Sequence, residues 1–282
     1  MRPRVGHIQF LNCLPIYYGL VRRSGILDLD LVKGTPTDLN ARLLAGELDI
    51  SPISSIEYAR HPGELLLFPG PTVSCRGAVK SILLVSRVPV EELHGRTVAL
   101  TRTSATSHVL LKYLLERRYG VRPDYVPTGT DLSEALASAD AALLIGDAAL
   151  ENLSPPAGLR AYDLGELWRE HTGCGMVFAV WAVRREFATR SPGLASHVWG
   201  LFQESLRYCT AHLGEIAIDA ARWERYPAAF LEGYFRSLTF GFETDLRDDL
   251  RRFYRAAAEI GELPRVPELG FFTPEREKIH AR

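Results

Sequence analysis

Hydrophobic positions along the first two thirds of the chain alternate between short apolar runs and segments with helical spacing. Residues 5–10, 81–86 and 141–145 form apolar runs of strand length. Residues 37–46, by contrast, repeat their apolar side chains at the spacing of one helix face and end on a glycine. This alternation of strands and helices predicts an α/β protein.

The pattern changes after residue 186, where strand signals disappear. Four later stretches have helical periodicity: 198–206, 216–223, 228–235 and 244–260. A helical segment of this size must cover apolar surface, so we expect it to pack back on the first part of the chain.

The chain has 282 residues, which exceeds the usual size of a single core, so two lobes are expected. The polar segment 87–95 predicts one crossing between them, and a second is expected near Trp181. The first lobe would then comprise residues 1–87 and 182–282, and the second residues 88–181.

Polar residues cluster where predicted strands end and helices begin. In open α/β sheets, ligands bind at these carboxyl ends, where helix N-termini present free N–H groups. Each Ser, Thr or Asn there is also a typical helix cap, so the prediction depends on their convergence. The candidate contacts for a small anion are Asn12, Ser54, Ser55, Thr103, Ser104, Thr106, Ser107, Gly146, Asp147 and Gly173.

Two of these strand ends differ in their capping pattern. Ser54 is followed three residues later by Glu57, which predicts a capping box. Ser104 has Ser107 at the same position, so an external carboxylate could take the place of the acid. Asp147 could orient a ligand hydroxyl, act as a base or cap a helix.

Charged and basic side chains offer weaker candidates. Arg76 and Arg102 are possible carboxylate partners through a bidentate fork. His7, His108 and His171 lie nearest the strand ends, but none has a carboxylate or nucleophile close in sequence. A packed or surface role is the alternative for each.

Composition and charge exclude several classes of function. The chain is 46% hydrophobic and 24% charged with a net charge of -1, so it has no basic field for nucleic acid or an anionic membrane. No apolar run reaches the ~20 residues of a membrane span. The oligomeric state does not follow from these features.

The cysteines and short motifs bear on compartment and cofactors. Four scattered cysteines without CxxC spacing, and an N-terminus without a signal-peptide pattern, favour a reducing cytoplasm. Phosphate-loop, dinucleotide and HExxH patterns are absent from the sequence, so neither a metal nor a nucleotide cofactor is expected.

Taken as a set, the strand ends resemble a known family. The similar segments are residues 7–15, 49–58, 98–107, 144–150, 163–168 and 172–181, and the similarity extends to about residue 273. The sequence resembles the chorismate dehydratases of the futalosine route to menaquinone. The resemblance implies the fold of type II periplasmic binding proteins, with two α/β lobes around a cleft.

The same resemblance implies a hydro-lyase reaction on a small molecule. Chorismate would lose water to give 3-[(1-carboxyvinyl)oxy]benzoate, and aromatisation would drive the elimination. Asn12 is the first choice for a catalytic contact, because an amide both donates to a carboxylate and accepts from a hydroxyl. The matching segments hold no compelling base, so we hypothesise that the enolpyruvyl carboxylate of chorismate removes the ring proton.

Two alternatives stay open from the sequence. One is a non-catalytic binding protein for a small organic anion, because this fold is used widely for capture. The other is the sister 1,4-dihydroxy-6-naphthoate synthase, which typically carries a His-Glu pair after the strand matching residues 141–145. Gly146 and Asp147 stand at that place here, which favours the dehydratase.

Overall fold

A computed structural model describes residues 2–23 and 25–275, which form two β-sheets. The sheet of the first lobe has six strands in the order β11-β4-β10-β3-β1-β2. Strand β1 pairs in parallel with β2 and β3, whereas the pairs made by β10 and β4 are antiparallel. The strands are β1 Arg4–Ile8, β2 Asp30–Gly34, β3 Ile50–Ser54, β4 Leu65–Cys75, β10 Met176–Arg184 and β11 Leu238–Gly241.

The sheet of the second lobe has five strands in the order β7-β6-β8-β5-β9. Strands β5 and β8 are buried along their whole length, as expected for apolar runs covered on both faces. Strand β6 runs parallel to both of its neighbours, β7 and β8. The strands are β5 Ile82–Ser86, β6 Thr97–Thr101, β7 Asp124–Thr128, β8 Ala141–Ile145 and β9 Arg160–Asp163.

Short helices follow these strands and begin at local signals in the sequence. Thr35 and Asp38 form a capping box at the start of α2, and the Asp163 carboxylate caps α7. The helices are α1 Leu14–Arg22, α2 Pro36–Leu44, α3 Ser55–Arg60, α4 Ala105–Tyr113, α5 Leu132–Ser138, α6 Gly146–Glu151 and α7 Leu164–Thr172. A π-helical turn, Leu114–Arg118, continues α4.

The last third of the chain is largely helical and covers the first lobe. Helix α9 packs on α1 and β4, and α12 packs on β10. In the core, the Trp181 and Phe202 rings meet edge to face. The predicted packing is therefore confirmed. These helices are α8 Arg185–Arg190, α9 Pro192–Ala211, α10 Leu213–Ala220, α11 Ala228–Ser237 and α12 Thr244–Glu259.

The chain changes sheets at two places that differ from the predicted boundaries. It leaves the first sheet after Cys75 and enters the second at Ile82, and it returns between Asp163 and Met176. The boundary expected at 87/88 falls after β5, because β5 pairs with β8 and β9. The one expected at 181/182 falls inside β10, which pairs with β3 and β4 on both sides.

Two further features of the described residues complete the fold. Strand β11 lies within the segment where the sequence showed only helical signals, so that expectation was wrong; it pairs with the edge of β4. Across residues 2–23 and 25–275, no helix is both long and apolar enough to cross a membrane.

Candidate active site between the lobes

A cavity lies between the two lobes, at the ends of β1, β3, β6 and β8. The space between the atoms there, including open solvent, is ≈ 450 Å³. The first lobe lines it with Ile8, Phe10, Asn12, Cys13, Pro36, Ser54, Val73, Phe178 and Ala179, and the second with Ile82, Ser104, Ser107, Ile145 and Gly146.

Asn12 lies in a tight turn between β1 and α1. The Cys13 N–H donates to the Phe10 carbonyl at 3.0 Å, and Pro15 stands in the first turn of α1. The residue before the helix is Cys13, so Asn12 does not cap it. Asn12 Oδ1 is buried, and no described residue donates a hydrogen bond to it. Buried acceptors normally have a partner, so this oxygen is available to a ligand.

Ser54 is held by a residue that the sequence did not single out. The buried Asn40 side chain accepts from the Ser54 N–H at 3.2 Å and donates to Ser54 Oγ at 3.3 Å. The predicted capping box at Ser54 does not form, because Glu57 pairs with Arg60 instead. Ser54 therefore lines the cavity in an orientation fixed by Asn40.

Ser104 and Ser107 bring a pair of hydroxyls from the second lobe. Ser104 caps α4 and accepts from the Ser107 N–H at 3.4 Å, and the two hydroxyl oxygens are 2.8 Å apart. The Ser104 side chain therefore caps α4, while the place of the missing acid at Ser107 stays a predicted site for an external carboxylate. The hydroxyls still face the cavity and can bind a ligand.

Ser55 and Thr106 lie behind the cavity and join the lobes to each other. Their hydroxyl oxygens are 3.3 Å apart, and Ser55 Oγ donates to the Val177 carbonyl at 2.7 Å. Thr106 Oγ1 also accepts from the Ile56 N–H at 3.2 Å. Thr106 thus satisfies the first turn of α3 from the opposite lobe.

Gly146 and Asp147 form the turn after β8, and this turn meets the turn that carries Asn12. Gly146 has φ +59° and lines the cavity, whereas Asp147 does not. Asp147 Oδ1 accepts from the Leu11 N–H at 3.2 Å. Burial raises the pKa of Asp147, although this hydrogen bond opposes the shift.

The other predicted contacts lie away from the cavity. Thr103 Oγ1 is 2.9 Å from Thr101 Oγ1. Gly173 ends α7 in the left-handed conformation at an exposed position. Arg76 pairs with Asp245 on the surface.

Arg102 and His171 are exposed as well. The backbone carbonyl of Arg102 accepts from Thr37 Oγ1 of the first lobe at 2.9 Å. The His171 ring packs against Tyr113, with ring centroids 5.9 Å apart.

The other two candidate histidines also lie outside the lining. The His7 ring packs against Tyr17 in a tilted arrangement, and burial together with Lys33 lowers the pKa of His7 to about 4. His108 Nε2 is 2.6 Å from the Thr101 carbonyl oxygen, and burial lowers its pKa. Both are packed residues.

The lining is neutral along the described part of the chain: it contains no Asp, Glu, His, Lys or Arg. Burial raises the pKa of the Cys13 thiol, so this side chain stays protonated at neutral pH. A ligand carboxylate would be held by hydroxyls, amides and backbone N–H groups. Within residues 2–23 and 25–275, no cluster of three His, Cys, Asp or Glu could hold a metal.

Aromatic and aliphatic walls are the part of the site that sequence reasoning missed. Phe10 and Phe178 face the cavity together with Ile82 and Ile145. Phe10 is the last residue of the strand predicted over residues 5–10, which is the local signal that could have indicated it.

Two sheets around a cleft with polar strand ends define the periplasmic-binding-protein-like class, and solved structures agree. The periplasmic aliphatic sulphonate binding protein of Escherichia coli is 16% identical with a TM-score of 0.62, covering 100% of this chain and 99% of that one. A protein of Archaeoglobus fulgidus is 19% identical with a TM-score of 0.74, covering 93% and 98%. The predicted fold is confirmed.

Within this class, the family is given by sequence. The family model described as menaquinone biosynthesis matches residues 3–259. A chorismate dehydratase of Thermus thermophilus is 34% identical over 98% of this chain and 100% of the relative. The chain belongs to this menaquinone biosynthesis family, which confirms the resemblance seen in its strand ends.

Proposed function

We propose that the protein is a chorismate dehydratase, a hydro-lyase that converts chorismate to 3-[(1-carboxyvinyl)oxy]benzoate and water. The observation that carries the proposal is the free, buried Asn12 amide oxygen in an interlobe cavity that also presents Ser104 and Ser107. The Thermus thermophilus relative of that name supports it along the full length.

The cavity suits a compact anion with a flat ring. Phe10 and Phe178 offer apolar surface to the ring, while Ser54, Ser104 and Ser107 offer hydroxyl donors to carboxylates. Gly146 has no side chain, so the Phe10 ring packs directly against its backbone at the edge of the cavity. We assign Asn12, these three serines and Gly146 as substrate contacts.

The elimination breaks two bonds on neighbouring ring carbons. A proton leaves the carbon that bears the enolpyruvyl ether, its bonding electrons form the third ring double bond, and hydroxide leaves the next carbon. The proton and hydroxide are released as one water. Because aromatisation drives the step, the protein needs mainly to hold the reactive conformer and stabilise developing charge.

The base in this scheme is the enolpyruvyl carboxylate of chorismate. This assignment is supported by the lining, whose described residues offer no carboxylate or imidazole. Asn12 would orient that carboxylate through its N–H donors and, through Oδ1, position the ring hydroxyl of the bound substrate before the elimination. Apolar walls would keep bulk water from the reacting carbons.

The remaining expectations follow from this assignment. The partner is a small-molecule substrate, and the proposed catalysis uses side chains of this protein together with the substrate's own carboxylate, with no cofactor. A cytoplasmic location is part of the proposal, supported by the four cysteines, all of them free thiols.

The test is incubation of purified protein with chorismate, followed by ultraviolet absorbance and mass spectrometry. A product lighter by one water supports the proposal. Binding of chorismate without a product would instead indicate a capture protein. The absence of both binding and conversion would contradict chorismate as the substrate.

The assignment of the base has its own test. A chorismate ester that masks only the enolpyruvyl carboxylate should bind but not be dehydrated. Turnover of this ester at the rate of chorismate would contradict the substrate carboxylate as base.

A further inference from the structure

Asp147 makes a contact across the cleft that the proposed chemistry does not use. It lies on α6 of the second lobe, and its Oδ1 accepts from the Leu11 N–H of the first lobe at 3.2 Å. Leu11 directly precedes Asn12 and is 4% exposed. The hydrogen bond therefore fixes the Phe10–Leu11 peptide unit, one residue before Asn12.

The two turns around this hydrogen bond also pack directly on each other. A Cβ added to Gly146 would lie 3.0 Å from the Phe10 ring. The Gly146 N–H donates to the Ser81 carbonyl at 2.8 Å, which anchors the turn within the second lobe. In this arrangement of the lobes, the Phe10–Asn12 turn thus rests on a surface of the second lobe.

The surroundings of Asp147 are unfavourable for its charged form. A carboxylate whose only role was to fill space would therefore be costly at this position. Burial and the neighbouring carboxyl groups of Glu224 and Glu151 all raise its pKa, and among its neighbours the Leu11 N–H and Arg225 oppose them. A partly buried carboxylate is costly unless it is hydrogen-bonded. The bond to Leu11 supplies that partner across the cleft.

We propose that Asp147 is a positioning residue, which holds Asn12 in its reactive place when the lobes are closed. The proposal depends on the proposed dehydration of chorismate. Asp147 does not touch the substrate, because it lies outside the cavity lining. It acts through the Leu11 amide and the turn that follows.

The test compares Asp147→Ala and Asp147→Asn with the matched control Glu151→Ala. Asn keeps an oxygen that can accept from the Leu11 N–H, whereas Ala does not. Glu151 lies on the same helix and pairs across the lobes with Arg225 at 2.7 Å, but among the described residues it makes no hydrogen bond to the turn that carries Asn12. It therefore controls for interlobe contacts in general.

We expect Asp147→Ala to lower kcat by about tenfold to a hundredfold, with a smaller change in KM, because a misplaced group costs rate after binding. Asp147→Asn should recover most of kcat, and Glu151→Ala should resemble the wild type. Hydrogen exchange at the Leu11 amide should be faster in the Ala variant only. If the Ala variant does not fold, Asp147→Ser, too short to reach Leu11, takes its place.

Three results would overturn the inference while the wild type dehydrates chorismate. They are full kcat in Asp147→Ala, an equal loss in the Ala and Asn variants, or an equal loss in Glu151→Ala. An inactive wild type would instead reject the proposed function, and unchanged Leu11 exchange in Asp147→Ala would then reject the positioning role separately.

Discussion

At the scale of single residues, Asn12 carries the largest expected effect. Replacing Asn12 by Ala should lower kcat/KM about a hundredfold or more, as loss of one preorganised donor does in other active sites. Gln9→Ala is a suitable control, because Gln9 is exposed and lies three residues earlier in the same segment. Steady-state kinetics with chorismate measures both. Similar kinetics for Asn12→Ala and Gln9→Ala would remove Asn12 from the mechanism.

His7 should make the stability of the protein depend on pH. Its pKa of about 4 in the folded state is below the usual value of ~6.5, so the unfolded state binds more protons below pH 6.5. Stability is therefore lost as the pH falls from about 6.5 towards 4. His7→Gln should remove about 1–2 kcal/mol of the difference in unfolding free energy between pH 7 and pH 5. Urea unfolding of the wild type and of His7→Gln at both pH values measures this difference. Equal losses of unfolding free energy between pH 7 and pH 5 in the two proteins would contradict the role given to His7.

Particular residues show how much of the candidate site could be predicted from the sequence. Asn12, Ser54 and Ser104 were predictable because each is polar at a strand end, and all three line the cavity. Asn40 was not, because its contact with Ser54 joins residues on different elements. Thr106 was predicted as a ligand contact, but its hydroxyl accepts a hydrogen bond from the Ile56 N–H of the opposite lobe.

At the scale of elements, the start of α6 is the most constrained turn at the cavity. Gly146→Ala should destabilise the protein by about 1–2 kcal/mol for the left-handed backbone alone, and displacement of Phe10 should add to this. Gly158→Ala is the matched control, because Gly158 has φ +88° and open space around it. The unfolding free energies and kcat of both variants separate the cost of the left-handed backbone from the cost of displacing Phe10. Equal losses in both would mean that Phe10 moves at no cost.

Helix starts were more predictable than the paths between sheets. Local caps such as the one at Thr35 depend on residues three positions apart, so they are visible in sequence. Which sheet a strand joins depends on distant partners. The apolar runs of β5 and β10 fit either sheet equally well, and for this reason the predicted crossings were displaced.

At the scale of the whole molecule, the two lobes share packed surface and should unfold together. Trp168 of α7 meets Phe253 of α12 edge to face at 6.0 Å, and Glu262 pairs with both Arg60 and Lys112 from the two lobes. We expect one thermal transition, with coincident tryptophan fluorescence and far-ultraviolet circular dichroism. Two separated transitions would show that the lobes unfold independently.

The order of strands in the first sheet has a consequence for synthesis on the ribosome. Strand β10 lies between β3 and β4, although residues 82–163 of the second lobe are made before it. In the nascent chain, β3 and β4 therefore lack the strand between them until the second lobe has been synthesised. Residues 82–163 are therefore complete before the first sheet is, and β3 and β4 gain a partner translated more than a hundred residues after them.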